Sequence, residues 1–205
     1  MVYDISIQKI DYKSYIMIIS FSGAPGSGKS TIAQMLADKL GWPRYYMGNI
    51  WRQMAKEKGV DVAAFSKLNE DDPYNDKEVD EYQRKLGKEK DNFVIEGRTS
   101  WYFIPHSLKI YLDVDKEEGA KRIFSSLQKG NSRNEAHNLS SWQELVVNTQ
   151  ERVVSDDSRY FKYYGIHVFD QTNYDFCLNT TNLSPQQVFD KVYEWVAAHL
   201  DNTKN

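Results

Sequence analysis

The chain has 205 residues, of which 40 % are hydrophobic and 27 % charged, and its formal net charge is −3. This length suits one compact domain, and the slightly acidic balance excludes the basic surface typical of nucleic-acid-binding proteins. A single cysteine and four histidines show no metal-ligand spacing, so neither a zinc site nor an intrachain disulfide is expected. No apolar run reaches the ~20 residues that span a bilayer. We therefore expect a soluble, cytoplasmic, monomeric enzyme that acts on small molecules, without nucleic-acid or membrane partners.

The N-terminal part of the chain divides near residue 16. Residues 1–15 carry charges throughout, whereas the run that starts at Ile16 is apolar. We interpret 1–15 as an N-terminal extension and 16–205 as a single domain that begins with a buried strand.

A phosphate-binding loop follows this strand. Residues 23–30 read Gly-Ala-Pro-Gly-Ser-Gly-Lys-Ser and precede an amphipathic stretch. The glycines allow backbone N–H groups to curl around phosphate oxygens, and the start of the following helix adds the positive end of its dipole. Lys29 would reach the β- and γ-phosphates, and Ser30 a magnesium ion. The predicted contacts to a nucleotide triphosphate are Gly23, Ala24, Pro25, Gly26, Ser27, Gly28, Lys29, Ser30 and Thr31.

The next elements alternate between helices and strands. Apolar residues recur at helical spacing from Ile32 to Leu40, and Gly41 supplies a stop. Tyr45 and Tyr46 indicate a short strand. Polar-faced helices are predicted at 49–58, 63–68 and 76–90, and buried parallel strands at 93–96 and 108–114. This alternation favours an α/β fold with a parallel sheet.

The C-terminal third contains a polar segment between two helices. Residues 129–141 are polar and predict a mobile lid, after a helix that ends near Gln128. A long helix then runs to about Tyr163 and is ended by Gly165. Residues 175–178 form the last predicted strand, in which Cys177 is interpreted as a small buried residue. A capping-box pattern at Ser184 starts the final helix.

Several short motifs beyond the loop resemble those of the cytidylate kinase family. They are Gly48-Asn49-Ile50-Trp51-Arg52, Asp72-Pro73, Glu96-Gly97-Arg98, Ser158-Arg159-Tyr160 and Tyr164-Gly165-Ile166. The resemblance covers about residues 16–200. It implies a five-stranded parallel sheet flanked by helices, with a monophosphate-binding insert at about 48–90 and a lid at about 129–141. It also implies that ATP, with Mg²⁺, phosphorylates CMP and dCMP.

The resemblance also implies roles for residues that bind the acceptor nucleotide. Arg52 and Arg98 would hold its phosphate, with the aromatic Trp51 beside Arg52. Arg152, Asp156 and Arg159 have spacings of four and three residues, which place them on one helix face. Asp156 would accept from the ribose hydroxyls, oriented by Arg152, and Arg159 would bind phosphate. The alternatives are a solvated Arg52, a structural ion pair at Arg98 and an ordinary intrahelical salt-bridge ladder.

The base contact departs from the family pattern. Many bacterial members have an aspartate after the arginine of the Asp-Gly-Arg motif, whereas this chain continues with Thr99 and Ser100. Asp76 and Asp80 in the insert are candidates to accept from the 4-amino group of cytosine, as carboxylates do when they read that base in nucleic acid. The alternative is that both are surface acids.

The remaining charges around the transferring phosphoryl group are assigned as follows. Arg133 is the only arginine of the predicted lid, although a solvated loop arginine is an alternative, and Arg122 on the preceding helix could reach the same phosphates. Glu96 either orders magnesium-bound waters or pairs with Arg98. The adenine would lie near 179–185. The predicted catalytic residues are Lys29, Arg98, Arg133 and Arg159.

Other functions remain possible from the sequence. A different small kinase on this scaffold, such as an adenylate kinase or a metabolite kinase, would share the loop. A GTPase switch lacks support because the guanine-reading Asn-Lys-x-Asp motif is absent. A non-catalytic nucleotide-binding module conflicts with the intact Lys29 and Ser30.

Overall fold

The computed structural model describes residues 17–69, 74–129 and 141–202. Predictions for the extension 1–15, for Arg133 and for nearly all of the lid therefore lie outside the described residues. Five strands and eight α-helices are defined in this part of the chain. In order, these are β1 Ile18–Gly23, α1 Lys29–Leu40, β2 Arg44–Tyr46, α2 Met47–Glu57, α3 Val62–Leu68, α4 Tyr74–Glu89, β3 Phe93–Glu96, α5 Ser100–Phe103, β4 Leu108–Asp113, α6 Lys116–Gln128, α7 Trp142–Tyr164, β5 Phe176–Asn179 and α8 Pro185–Asn202.

The five strands form one sheet in the order β2-β3-β1-β4-β5, and every neighbouring pair is parallel. The predicted five-stranded parallel sheet is thus confirmed. β1 is central, with β3 and β4 as its neighbours. The phosphate-binding loop consequently emerges from the middle of the sheet at its carboxyl edge, where α/β sheets bind ligands.

The sheet has a separate hydrophobic core on each face. Successive side chains of a strand point to opposite faces, and Ile18 and Ile19 of β1 accordingly belong to different cores. The core that includes Ile19 is completed by α1 and α8. The core that includes Ile18 is completed by α2, α3 and α4, the predicted insert. Burial of these apolar faces holds the insert against the sheet.

Two predicted helix ends are confirmed by their geometry. Gly41 and Gly165 have φ angles of 68° and 67°, and their N–H groups donate to carbonyls of the preceding turn. The capping box at Ser184 is also present, because Ser184 and Gln187 exchange hydrogen bonds of 2.9 and 3.3 Å.

The short helix α5 was not predicted, and the interpretation of Cys177 was wrong. Cys177 is exposed, because β5 is an edge strand on which partly buried and exposed residues alternate. None of the helices in the described ranges is long and apolar enough to cross a membrane.

Candidate active site

The loop between β1 and α1 has a shape that depends on its glycines. Gly23 and Gly26 have φ angles of 139° and 78°, which residues with a Cβ rarely adopt. A Cβ on Gly23 would lie 2.0 Å from the carbonyl oxygen of Leu112, and one on Gly26 would lie 2.3 Å from that of Gly119. The loop therefore packs with its backbone directly on β4 and α6.

Lys29 and Ser27 place polar groups inside this loop. The ammonium group of Lys29 donates to the carbonyl oxygens of Gly23 and Ala24 at 2.9 and 2.7 Å. The Ser27 hydroxyl is buried and has no hydrogen-bond partner within the described ranges. A buried hydroxyl without a partner costs free energy unless a ligand satisfies it, so the loop suits an oxygen-rich anion.

Ser30 lies against a buried carboxylate. Its hydroxyl donates to Glu96 at 2.8 Å, and Glu96 also forms an ion pair with Arg44. The suggestion that Glu96 pairs with Arg98 was therefore wrong. The reason is the strand order, because β2 lies beside β3 and brings Arg44 next to Glu96. Ser30 and Glu96 together present oxygen ligands of the type that Mg²⁺ prefers.

A cavity of about 460 Å³ opens over the loop. The loop residues from Gly23 to Thr31 line it, apart from Ala24. The wall also includes the following polar residues of the insert, β3, α6 and α7: Arg52, Gln83, Glu96, Arg98, Thr99, Arg122, Arg152, Asp156 and Arg159. Most of the residues predicted to bind donor and acceptor thus share one cavity.

Asp156 lies at the centre of an arginine cluster. It is buried, pairs with Arg98 from the end of β3, and lies 3.8 Å from Arg152 on its own helix. Burial tends to raise the pKa of this carboxyl, but Arg98, Arg159 and Arg152 together lower it below its ordinary value. Asp156 is therefore ionised at neutral pH and holds the arginines along the cavity wall. The shared helix face predicted for Arg152, Asp156 and Arg159 is confirmed.

Arg159 connects three helices. Its guanidinium lies 3.0 Å from Asp156 on α7 and 2.7 Å from Asp76 on α4, and it donates to the Ser66 carbonyl on α3. The side chain is 1 % exposed. Burial opposes the charge of Arg159, but Asp156 and Asp76 raise its pKa. The intrahelical ladder accounts for only one of these contacts, and the others run between elements.

Asp76 and Asp80 are buried, with exposed fractions of 1 % and 2 %. The alternative that they are surface acids was therefore wrong. Asp76 accepts from Tyr160, and Asp80 accepts from Tyr164 and Thr99 at 2.8 and 3.0 Å. Neither carboxylate belongs to the cavity wall. The sequence-based arrangement, in which these carboxylates contact the base directly, is therefore corrected: both are buried outside the cavity wall, among protein side chains.

Asp80 holds its proton unusually tightly. Burial raises its pKa to about 7, against the lowering effect of the hydrogen bonds from Tyr164 and Thr99. The nearby Asp76 raises the pKa further, and Arg84 lowers it.

This raised pKa predicts a pH-dependent stability. The unfolded chain loses the Asp80 proton near its ordinary pKa of 3.8, whereas the folded protein keeps it until about 7. The free energy of unfolding should therefore decrease as the pH rises between these values, by roughly 1.4 kcal/mol per pH unit. Asp80→Asn should remove this slope. Urea unfolding of both proteins between pH 4 and 8 measures it, and Asp91→Asn, at an exposed loop position, is the control. Parallel curves for wild type and Asp80→Asn would contradict the assignment.

Arg52 and Trp51 lie on α2 and line the same cavity. The Arg52 guanidinium lies over the ring of Tyr46, 4.7 Å from its centroid. Trp51 is buried, donates to Ser66 at 3.4 Å, and packs against Phe65. Arg52 is partly buried and lines the cavity, which favours the predicted phosphate contact over a solvated arginine.

The far part of the cavity has an apolar wall. Ile123, Leu183 and Val188 line it, which suits the flat face of a base near the predicted segment 179–185. Arg122 lines the wall as well, but its guanidinium donates to the carbonyls of Thr180 and Thr181 at 2.9 and 2.8 Å. In this arrangement Arg122 fixes the turn before α8. Its guanidinium is therefore already engaged by protein carbonyls and is not directed solely at the predicted phosphate position.

Three polar residues near the cavity were not among the predicted site residues. Gln83, Thr99 and Ser100 are buried and joined by hydrogen bonds. A signal was present for Gln83, because it lies three residues after Asp80 and therefore shares its helix face.

Comparison with known proteins agrees with this geometry. Residues 18–182 match the model of the cytidylate kinase-like family. A cytidylate kinase of Thermococcus kodakarensis is 37 % identical over 174 residues, which cover 84 % of each chain. One from Pyrococcus horikoshii is 36 % identical over 186 residues, or 90 % of each chain.

Solved structures share the fold at lower identity. Shikimate kinase from Bacteroides thetaiotaomicron aligns with a TM-score of 0.59 at 12 % identity, over 89 % of this chain and 99 % of its own. Shikimate kinase from Aquifex aeolicus aligns with a TM-score of 0.54 at 17 % identity, over 89 % of this chain and 98 % of its own. These neighbours show that the chain shares their fold, and the match over residues 18–182 shows that the chain belongs to the cytidylate kinase-like family.

Proposed function

We propose that this protein transfers the γ-phosphoryl group of ATP to CMP, and less efficiently to dCMP. The observation that supports this most directly is that the phosphate-binding loop and the buried arginine cluster line one cavity. Such an arrangement holds two phosphate groups together, which is what phosphoryl transfer requires. The kinases named above, at 36–37 % identity, supply the expectation for the base.

The donor side consists of the loop and the start of α1. Backbone N–H groups of the loop and the unpartnered Ser27 hydroxyl would bind phosphate oxygens. Lys29, whose ammonium now contacts two loop carbonyls, would turn its charge to the β- and γ-phosphates. The apolar wall with Leu183 and Val188 would hold the adenine.

A magnesium ion fits the pair formed by Ser30 and Glu96. No group of three or more metal-binding side chains occurs in the ranges that the structure describes, so the ion would depend largely on phosphate and water oxygens, as is usual for Mg²⁺. Ser30 would bind it directly and Glu96 would order its waters. When bound, the ion supplies positive charge to the β- and γ-phosphates.

The acceptor side consists of the insert, the end of β3 and α7. Arg52, Arg98 and Arg159 would hold the phosphate of CMP in line with the donor, and no catalytic base is needed because that phosphate is already ionised. Asp156 would accept from the ribose hydroxyls, with Arg152 beside it. Arg133 would supply positive charge to the transferring phosphoryl group, an assignment that is based on the sequence alone.

A substrate panel tests the proposal. ADP release is measured with ATP, Mg²⁺ and each of CMP, dCMP, UMP, AMP and GMP, and with shikimate as a metabolite acceptor. CMP should give the highest kcat/KM. A higher kcat/KM for AMP or for shikimate would show that CMP is not the preferred acceptor. The absence of transfer to every acceptor would favour a nucleotide-binding module without kinase activity.

Arg98→Ala should affect the acceptor and spare the donor. We expect the KM for CMP to rise about tenfold or more and kcat to decrease, because a charged hydrogen-bond partner of the phosphate is lost. The affinity for ATP should change less than about threefold. Titration with labelled ATP isolates the donor side, and Arg84→Ala on the outer part of α4 is the control. A collapse of ATP affinity with an unchanged KM for CMP would reverse the assignment.

A further inference from the structure

A hydrogen-bonded group on the acceptor side joins α4 to the turn after β3. Gln83 and Thr99 both line the cavity, and both contact Asp80 behind them. The amide nitrogen of Gln83 donates to Asp80 at 3.1 Å and to Thr99 at 3.0 Å. The Thr99 hydroxyl donates to the same Asp80 oxygen.

The orientation of the Gln83 amide follows from these partners. Above about pH 7 the Asp80 carboxyl is ionised and only accepts hydrogen bonds, so the NH₂ end of the amide has to face it. The carbonyl end, Oε1, therefore points the other way and accepts from the Ser100 hydroxyl at 2.6 Å. A serine hydroxyl can also accept, and Ser100 alone would permit either orientation. Asp80 is consequently the residue that decides it.

The backbone is shaped to admit this amide. A Cβ on Gly97 would lie 2.4 Å from the Ser100 hydroxyl and 3.1 Å from Gln83 Oε1. A side chain at this position would displace the Ser100 hydroxyl and crowd the Gln83 amide. Gln83 is 1 % exposed, so the orientation of its amide is set by these protein partners and not by bulk water.

Cytosine and uracil differ in the polarity of the groups that such an amide would meet. Cytosine carries a 4-amino donor, whereas uracil carries a carbonyl acceptor at the same position. An unfixed glutamine amide matches either base by turning over. Gln83 Oε1 lies beside Gly97, which lines the cavity, and the bond from Ser100 uses only one of its two lone pairs. A fixed amide that presents the second lone pair to the ligand would match the amino group, and uracil would then place two acceptors against each other.

We propose that Gln83 is the base-reading residue of this protein, that Thr99 supports it, and that Asp80 is a positioning residue that fixes the amide for cytosine. The inference rests on the proposed function, since it names how the CMP acceptor is chosen. In this chain Asp80 supplies a carboxylate beside Thr99 from a different element.

The test compares kcat/KM for CMP and UMP at pH 8, where Asp80 is ionised. Asp80→Asn allows the amide to turn over, because an asparagine NH₂ can donate to Oε1. UMP activity should therefore increase, and the CMP to UMP ratio should decrease at least about tenfold. A gain of UMP activity cannot come from a damaged fold. Gln83→Met should lower the ratio by reducing CMP activity, and the exposed Gln186→Met on α8 is the matched control.

A second pair of variants distinguishes a loss of base selection from misfolding. Thr99→Val removes the hydroxyl that contacts Asp80 and should lower the ratio, whereas Thr99→Ser retains the hydroxyl and should preserve it. An unchanged ratio in folded Asp80→Asn and Thr99→Val overturns the proposal while CMP kinase activity stands. A wild-type protein that does not prefer CMP overturns the proposed function and this inference together.

Discussion

Lys29→Ala is expected to lower kcat by at least about a hundredfold while leaving the fold intact. Removal of one preorganised group that stabilises developing charge typically costs a factor of 10²–10³ in turnover. The Lys29 ammonium lies inside the loop, within bonding distance of two carbonyls, and it contributes no apolar side chain to either core. The loss should therefore appear in catalysis.

Steady-state kinetics with ATP and CMP, together with circular dichroism, measure this effect. Lys39→Ala is a matched control because Lys39 lies on the same helix, is exposed, and is not part of the cavity wall. Turnover of Lys29→Ala within threefold of wild type would remove the loop from the mechanism.

Arg159→Ala is expected to lower the free energy of unfolding by about 3–5 kcal/mol, because the loss of one partner leaves buried charge without compensation. Arg159 is 1 % exposed, and it is a common partner of Asp156 and Asp76. Asp156 would keep Arg98 and Arg152, whereas Asp76 would lose the arginine with which it pairs. Asp76 can take up a proton more easily, because burial raises its pKa.

Urea unfolding at pH 7 measures the effect, with the partly exposed Arg84→Ala as control. The double variant Asp76→Asn with Arg159→Met removes the carboxylate that pairs with Arg159 and leaves Asp156 with Arg98 and Arg152, so it should recover part of the stability. A loss for Arg159→Ala no larger than for Arg84→Ala would show that the cluster contributes little to folding.

The parts of the fold predicted from sequence depend on local patterns. The loop is a contiguous motif, and both glycine helix ends and the apolar strands are signalled within a few residues. The helix α5 has four residues, too few for a periodic signal. The exposure of Cys177 depends on β5 being at the sheet edge, which is a property of strand order.

Site residues could be predicted where a contiguous sequence motif indicates their function. They could not be predicted where their contacts come from residues that are distant in the chain. The burial of Asp76 and Asp80 depends on Tyr160 and Tyr164, each 84 residues away in sequence. Without knowledge of these distant partners, the sequence of α4 resembles that of a solvated acidic helix. The pairing of Glu96 with Arg44 likewise required the neighbour relation of β2 and β3.

The contact between the loop and α6 has a consequence for how the protein can move. Gly26 and Gly119 meet without side chains between them, and a Cβ on Gly119 would lie 2.6 Å from the Pro25 carbonyl oxygen. Thr180 ties the same loop to the turn before α8 through a hydrogen bond to the Ser27 carbonyl. Three chain segments around the phosphate-binding loop are thus packed directly on one another. Because movement of the loop would break these contacts, we expect closure over the cavity, within the described ranges, to come from α2, α3 and α4 on the other side.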